Sequence, residues 1–201
     1  MNYYSHKYFT SLCFGNDIDL IDSCILPDED EAQNGFSCHF YNPVTKKCFL
    51  GTEDSAKNRF IWHLSNYLHT KKKESLGRAI HFLEDICTPV HTQYEDAIDA
   101  AIRLNLHINF EKALDSYLEN FCGSIPDMQF KSVCEILDYC SIKSSELYYL
   151  VRDKNAMSPV CLAVLSFTRS ALFSLYDILQ KGEIVAKSFV VQGEKINVLF
   201  E

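Results

Sequence analysis

The sequence predicts an all-α fold, and three observations carry that reading. Apolar residues recur at three- and four-residue spacing over most of the chain, the period of a helix face. Glycine (7) and proline (5) are scarce in 201 residues, too few for the turns of an all-β domain. Period-two alternation enters only in the C-terminal tail. With 47% hydrophobic and 23% charged residues the composition is globular, and the length suits one domain with a real core.

Taken in order, residues 5–24 carry apolar positions at helical spacing, broken near Gly15-Asn16-Asp17. Residues 26–51 read as an acidic, irregular loop through Asn42-Pro43 to Gly51. A helix follows over 53–69, with Phe60, Ile61, Leu64 and Leu68 on one side. Lys71-Lys72-Lys73 reads as a solvated surface loop. The next helix spans 74–87 on Leu76, Ile80, Leu83 and Cys87, and Thr88-Pro89 stops it, because the residue before proline avoids the α region. Residues 94–103 and 107–121 read as two helical pieces, and 129–152 and 156–181 as long helices closed by Gly182. Val185–Val191 and Lys195–Phe200, around Gln192-Gly193-Glu194, read as a short β-hairpin. The expected organisation is one helical domain, 1–182, and a C-terminal tail, 183–201.

Charge and cysteine usage narrow the function classes. A formal charge of -8 disfavours non-specific binding to nucleic acid through phosphate neutralisation. The nine cysteines are odd in number and contain no C-x2-C pair. Several, such as Cys134, Cys140 and Cys161, lie in apolar helical stretches, so they read as buried hydrophobes of a reducing compartment. The start, Met-Asn-Tyr-Tyr-Ser-His-Lys-Tyr, has neither a basic nor an apolar signal region. No uninterrupted apolar run is long enough to span a bilayer. The expected location is the cytoplasm.

The histidines form the informative pattern. His81 and Asp85 stand four apart on one helix face, and His107 and Glu111 repeat the arrangement on a later helix. His91 follows the Pro89 break, and His39 lies in the irregular segment after Asp28 and Asp30. An i, i+4 His/carboxylate pair gives a divalent ion two ligands without backbone strain, and two such pairs with loop ligands suffice for more than one ion. A single pair of this kind is more often a helix-surface ion pair. His63 and His69 fit no such pattern and read as packed or surface side chains.

The segment Leu76-Gly-Arg-Ala-Ile-His81-Phe-Leu-Glu-Asp85-Ile-Cys-Thr-Pro-Val-His91 resembles the signature of the zinc-dependent phospholipase C family, which includes the bacterial phosphatidylcholine-preferring enzymes and clostridial alpha-toxin and is related to zinc-dependent single-strand nucleases. Phe36-Ser-Cys-His39-Phe40-Tyr41-Asn42-Pro43 is similar to the family's His-Phe-Tyr-Asp-Pro stretch. Pro27-Asp28-Glu29-Asp30 resembles the loop with an essential aspartate, and His107-x3-Glu111 the closing pair. The resemblance covers residues 6 to about 111, in the family's order.

It implies a helical fold and two or three zinc ions. Asp28, His39, His81 and Asp85 would hold one, and His91, His107 and Glu111 a second. His6, the bridging Asp85 and the amine and carbonyl of Met1 would hold a third. Asp28 would serve both as ligand and as catalytic base; Asp30 is its rival as ligand. Phe36 and Glu29 would line the headgroup pocket. The implied substrate is a phospholipid or small phosphodiester, met in transient contact with a membrane surface to which Tyr3, Tyr4, Tyr8 and Phe9 would contribute. Cleavage of single-stranded nucleic acid is a second reading, and a repurposed or non-catalytic zinc-binding relative a third. The oligomeric state stays open. Met1 replaces the family's N-terminal Trp, Asn42 replaces the common Asp before Pro43, and Glu111 matches the phospholipase branch rather than the nuclease branch. The lipid-binding β-sandwich of alpha-toxin has no counterpart here. Three zinc ions would bring the formal charge to about -2.

Overall fold

A computed structural model describes residues 1–34, 36–48, 54–92, 100–182 and 184. Among them the fold is all-α, with no strand. The α-helices are α1 (Tyr3–Phe14), α2 (Ile18–Ser23), α3 (Leu26–Asn34), α4 (Ala56–Thr70), α5 (Lys73–Ile86), α6 (Ala100–Asn120), α7 (Val133–Leu147) and α8 (Met157–Lys181). Short 3-10 turns occupy Phe36–His39, Pro89–His91, Leu150–Arg152 and Lys154–Ala156.

The caps follow local chemistry. Asn2 accepts a hydrogen bond from the Tyr4 amide to start α1, and Gly15, at φ +75°, ends it. Asp17, Ser55 and Ser132 cap α2, α4 and α7 by accepting from the amides of Leu20, Asn58 and Glu135. Gly182, at φ +69°, closes α8.

Helix α5 lies at the centre. It packs along α4 and α2 and also touches α1, α3, α7 and α8. From Ser75 to Thr92 every side chain but Arg78 is buried. Helix α8 is the second core element and packs on α1, α6 and α7. By length and composition alone it passes for a membrane span. Here Val160, Val164, Phe167, Leu172, Leu175 and Ile178 are buried in the protein core. The segment before α7 is strapped along α8: the amides of Met128 and Phe130 donate to the hydroxyls of Ser170 and Ser174, each at 3.0 Å.

Four expectations are corrected. Residues 26–34 are helix α3, not loop. Pro27 and the acidic first turn favour a helix start, and the helix is held by side-chain pairing rather than by an apolar stripe. Within 100–120 there is one continuous helix instead of two pieces, because Phe110, Leu114 and Leu118 bury a single stripe and no proline or glycine interrupts it. Cys134 is exposed on α7, not buried, although seven of the nine cysteines are buried. Phe9 is fully buried and Tyr8 half-buried, leaving Tyr3 and Tyr4 as the exposed aromatics of α1. The hairpin expected in the tail lies outside the described residues, as do residues 94–99.

Gly77 marks a close approach between α5 and the end of α2. A Cβ placed there would meet Ser23 Cβ at 2.5 Å, the Ser23 carbonyl carbon at 2.8 Å and the Cys24 amide nitrogen at 3.0 Å. Two of these are backbone atoms that cannot swing aside. One turn on, His81 Nδ1 donates to the Cys24 carbonyl at 2.8 Å, so the same contact that needs Gly77 aims the His81 ring. Gly77→Ala is expected to destabilise the protein by about 1–2 kcal/mol in urea unfolding, overpacking outweighing the gain in helix propensity. Unchanged or raised stability would show that α2 can move away freely.

Candidate metal centre

The donors come from separate parts of the chain. α5 gives His81 and Asp85 from adjacent turns of one face. The Thr88-Pro89 break ends α5, and the Pro89–His91 turn swings His91 back toward the same centre. The Tyr41 amide donates to the His91 carbonyl at 3.0 Å, tying this turn to the segment that carries His39. α3 brings Asp28, α6 brings His107 and Glu111, and α1 brings His6 and, just before it, Met1.

The first group surrounds one oxygen of Asp85. His39 Nδ1 and His81 Nε2 are 3.0 Å apart. Asp85 Oδ2 is 2.8 Å from the first and 3.2 Å from the second. Asp28 Oδ1 completes the group, 3.7 Å from His39 Nδ1 and 3.4 Å from His81 Nε2. Nitrogen and oxygen donors at about 2.0–2.1 Å from a tetrahedral ion are about 3.3 Å from one another. These separations scatter around that value.

The second group is His91, His107 and Glu111. The two Nε2 atoms are 3.3 Å apart, and Glu111 Oε1 is 2.8 Å from His107 Nε2 and 3.7 Å from His91 Nε2. The third gathers around the other oxygen of Asp85. Oδ1 lies 3.2 Å from the Met1 amine, 3.8 Å from His6 Nε2 and 2.8 Å from His91 Nδ1. The Met1 amine also reaches Glu111 Oε1 at 3.1 Å, and His6 Nε2 reaches Asp28 Oδ2 at 3.9 Å. The His91 contact lacks hydrogen-bond geometry, and His6 Nε2 is likewise buried with no hydrogen-bond partner among the described residues. Lone-pair atoms facing one another in this way fit an ion between them. Three sets of donors here, His39/His81/Asp85, His91/His107/Glu111 and His6/Asp28/His81, could each hold a metal ion.

Electrostatics fit closely packed opposite charges. Burial works to raise the Asp85 carboxyl, but His91, the Met1 ammonium and His81 hold it well below its ordinary range. Burial likewise opposes ionisation of Glu111, and the Met1 ammonium with His107 and His91 holds it well below the usual carboxylate range. Burial works against charge on the Met1 amine, yet Glu111, Asp85 and Asp28 raise it to about 11. A metal that takes this nitrogen must displace a proton.

All nine sequence-derived metal ligands, Met1, His6, Asp28, His39, His81, Asp85, His91, His107 and Glu111, meet in this cluster. Asp30 points elsewhere: its Oδ2 is 2.6 Å from Arg78 Nη1. Asn42 serves a turn, its side-chain oxygen accepting from the amides of Val44 and Thr45. Glu29 is exposed on α3, about 100° around the helix from Asp28. The Phe36 backbone opens a 3-10 turn, and its side chain lies outside the described residues. His63 is buried against Phe82 and His69 is exposed, as packed and surface histidines.

Two acidic residues of the centre escape sequence reasoning. Glu84, fully buried, sits 2.5 Å from His6 Nδ1. Asp115 accepts from both Asn2 and Ser5 and so anchors the N-terminal turn. Signals exist for each: Glu84 falls on the apolar side of α5, four residues after Ile80, and Asp115 extends the His107, Glu111 register by another turn.

The chain matches no protein-family model and no curated protein sequence at a significant level.

The arrangement yields a pH expectation for the metal-stripped protein. Burial, with His81 and the Met1 ammonium, lowers His6 well below its ordinary value. Burial also lowers His107, and lowers His63 to about 3. Each contributes stability present above its unfolded pKa and lost as the pH falls, because the unfolded chain takes the proton first. For His39, burial is outweighed by the Asp85 hydrogen bond and by Cys38, and it is raised. It acts in the opposite sense, stabilising at low pH. Glu84, raised well above its ordinary value by burial and by Asp85, acts in the same sense as His39. Three depressed histidines against these two raised groups leave about one net proton, so stability should fall from about pH 7 to about pH 5 by at most about 1.4 kcal/mol per pH unit. Urea unfolding at three pH values measures the slope; a flat or rising profile toward acid would contradict the arrangement. The two aspartates separate similarly. Asp28→Asn should lower bound metal in elemental analysis, whereas Asp30→Asn should leave it unchanged and cost at most about 1 kcal/mol.

Proposed function

We propose that the chain is a zinc-dependent phosphodiester hydrolase of the phospholipase C type. The observation that carries the reading is the divided Asp85 carboxylate, with Oδ2 facing His39 and His81 and Oδ1 facing Met1, His6 and His91. A carboxylate whose two oxygens belong to different donor groups is suited to bridge two ions. Mixed imidazole and carboxylate donors suit zinc. Asp28, His39, His81 and Asp85 would hold one ion, His91, His107 and Glu111 a second, and His6, Asp85 and the Met1 amine a third. Bound zinc would polarise the phosphoryl oxygens and lower the pKa of a water toward neutrality.

The chain's own groups supply orientation and proton transfer. Asp28 and Glu111 are each 15% exposed at the side chain, so these carboxylates face the side from which a substrate comes. Asp28 orients the attacking water and takes its proton, in addition to its ligand role. Asp85, with no solvent exposure, keeps its charge inside and fixes the spacing of the donor groups. The substrate class is a phospholipid or small phosphodiester. Exposed Glu29 beside Asp28 would attract a cationic headgroup, and exposed Tyr3 and Tyr4, next to Met1, would meet a membrane surface. Nine free thiols support a reducing compartment such as the cytoplasm.

Elemental analysis should find two or three zinc ions per chain, with at least one lost in His81→Ala and more than one in Asp85→Ala. Fewer than two in the wild type would sink the multinuclear reading. Release of the chromophore from a phosphocholine ester should fall at least about 100-fold in Asp85→Ala, a direct ligand costing more than its supporting partners do. Cleavage of single-stranded RNA with no turnover of the ester would assign the chain to nuclease chemistry instead.

A further inference from the structure

Glu84 is a fully buried carboxylate that no motif accounts for. It lies on α5 beside Asp85, turned toward α1. There, His6 and Thr10, one helical turn apart, enclose it: Oε2 is 2.5 Å from His6 Nδ1 and Oε1 is 3.5 Å from the Thr10 hydroxyl. The opposite side of the same imidazole faces the metal cluster. His6 Nε2 is buried without a hydrogen-bond partner among the described residues, 3.8 Å from Asp85 Oδ1 and 3.9 Å from Asp28 Oδ2. The His6 ring also stacks on His81, with centroids 4.0 Å apart, so it cannot turn to reach the cluster by another edge.

A neutral imidazole carries one N–H. A carboxylate that accepts from Nδ1 puts the proton there and leaves the lone pair on Nε2, the nitrogen that a metal needs. We propose that Glu84 is a positioning residue that accepts the Nδ1 proton of His6 and thereby presents His6 Nε2 to the ion shared with Asp85 and the Met1 amine. The inference rests on the metal-hydrolase reading and extends it to the residue that sets the affinity of one particular site. Glu84 itself touches neither substrate nor ion. Thr10 occupies its other oxygen and keeps the carboxylate from rotating.

The test uses the full-length protein titrated with zinc(II) against chelators of graded affinity. Glu84→Ala should weaken one zinc ion about 10–100-fold and leave the others unchanged. Glu84→Gln, which keeps the volume and an oxygen able to accept from Nδ1, should lose less. His6→Ala should lose the same ion, and adding Glu84→Ala to it should cost no further zinc. Nitrogen-15 NMR of the zinc-loaded wild type should show His6 as the Nδ1–H tautomer, a readout that a purely packing role would not set and that needs no variant to fold. Wild-type zinc affinity in both Glu84 variants, further zinc loss in the double variant, or an Nε2–H tautomer would overturn the proposal while leaving the hydrolase reading standing. A wild type that takes up no zinc would overturn that reading as well.

Discussion

The Asp85 carboxylate, sealed from water and surrounded by nitrogen atoms, is the constraint on which the rest of the structure depends. An isolated buried carboxylate costs several kcal/mol, and its charge survives only among close partners of opposite sign or donating hydrogen. Here those partners are the Met1 amine at 3.2 Å and His39 Nδ1 at 2.8 Å, while His81 and His91 stand within 3.2 Å of the same oxygens, poised to share an ion with them. They come from widely separated parts of the chain. The N-terminal turn, the Phe36–His39 turn and the Pro89–His91 turn must all be in place for the interior of α5 to tolerate the charge. Conversely, without that charge the same histidines would crowd one another with too few acceptors.

This constraint explains why α5 is buried from Ser75 onward except at Arg78. A helix at the centre can hand residues to several neighbours at once: His81 and Asp85 to the metal donors, Glu84 to α1, Gly77 to α2. Gly77 admits the end of α2 to backbone contact, which delivers the Cys24 carbonyl to His81. The Cys24 carbonyl and Glu84 play parallel parts, each taking the outer proton of an imidazole so that the inner nitrogen points at the cluster. Rigidity in this layer matters more than the number of ligands, because an ion discriminates donors by tenths of an ångström.

Legibility from the sequence followed periodicity. The His81/Asp85 and His107/Glu111 pairs, the Pro89 break and the long helices α4, α5 and α8 are local features with fixed geometric consequences, and they stood where the spacing put them; α7 (Val133–Leu147) is shorter at both ends than the helix expected over 129–152. Helix α3 did not, since its nine residues carry no apolar stripe and its hold on the fold comes from Asp28 in the cluster and Asp30 on Arg78. Glu84 and Asp115 were silent for a related reason: an acidic residue on a helix reads as solvated until a partner from another element is seen to face it.

The sequence by itself determined that the chain is helical and that His81 with Asp85, and His107 with Glu111, share single helix faces. Helix geometry makes i, i+4 neighbours unavoidable, so that much is fixed before folding is complete. Only the tertiary structure decided that Asp28 rather than Asp30 turns inward, that Asp85 divides its oxygens between donor groups, that the Met1 amine lies between two carboxylates, and that Glu84 backs His6. Each of those is a choice among rotamers and approach angles. It is settled by which charges can be buried together, a property of the assembled core and of no segment of it alone.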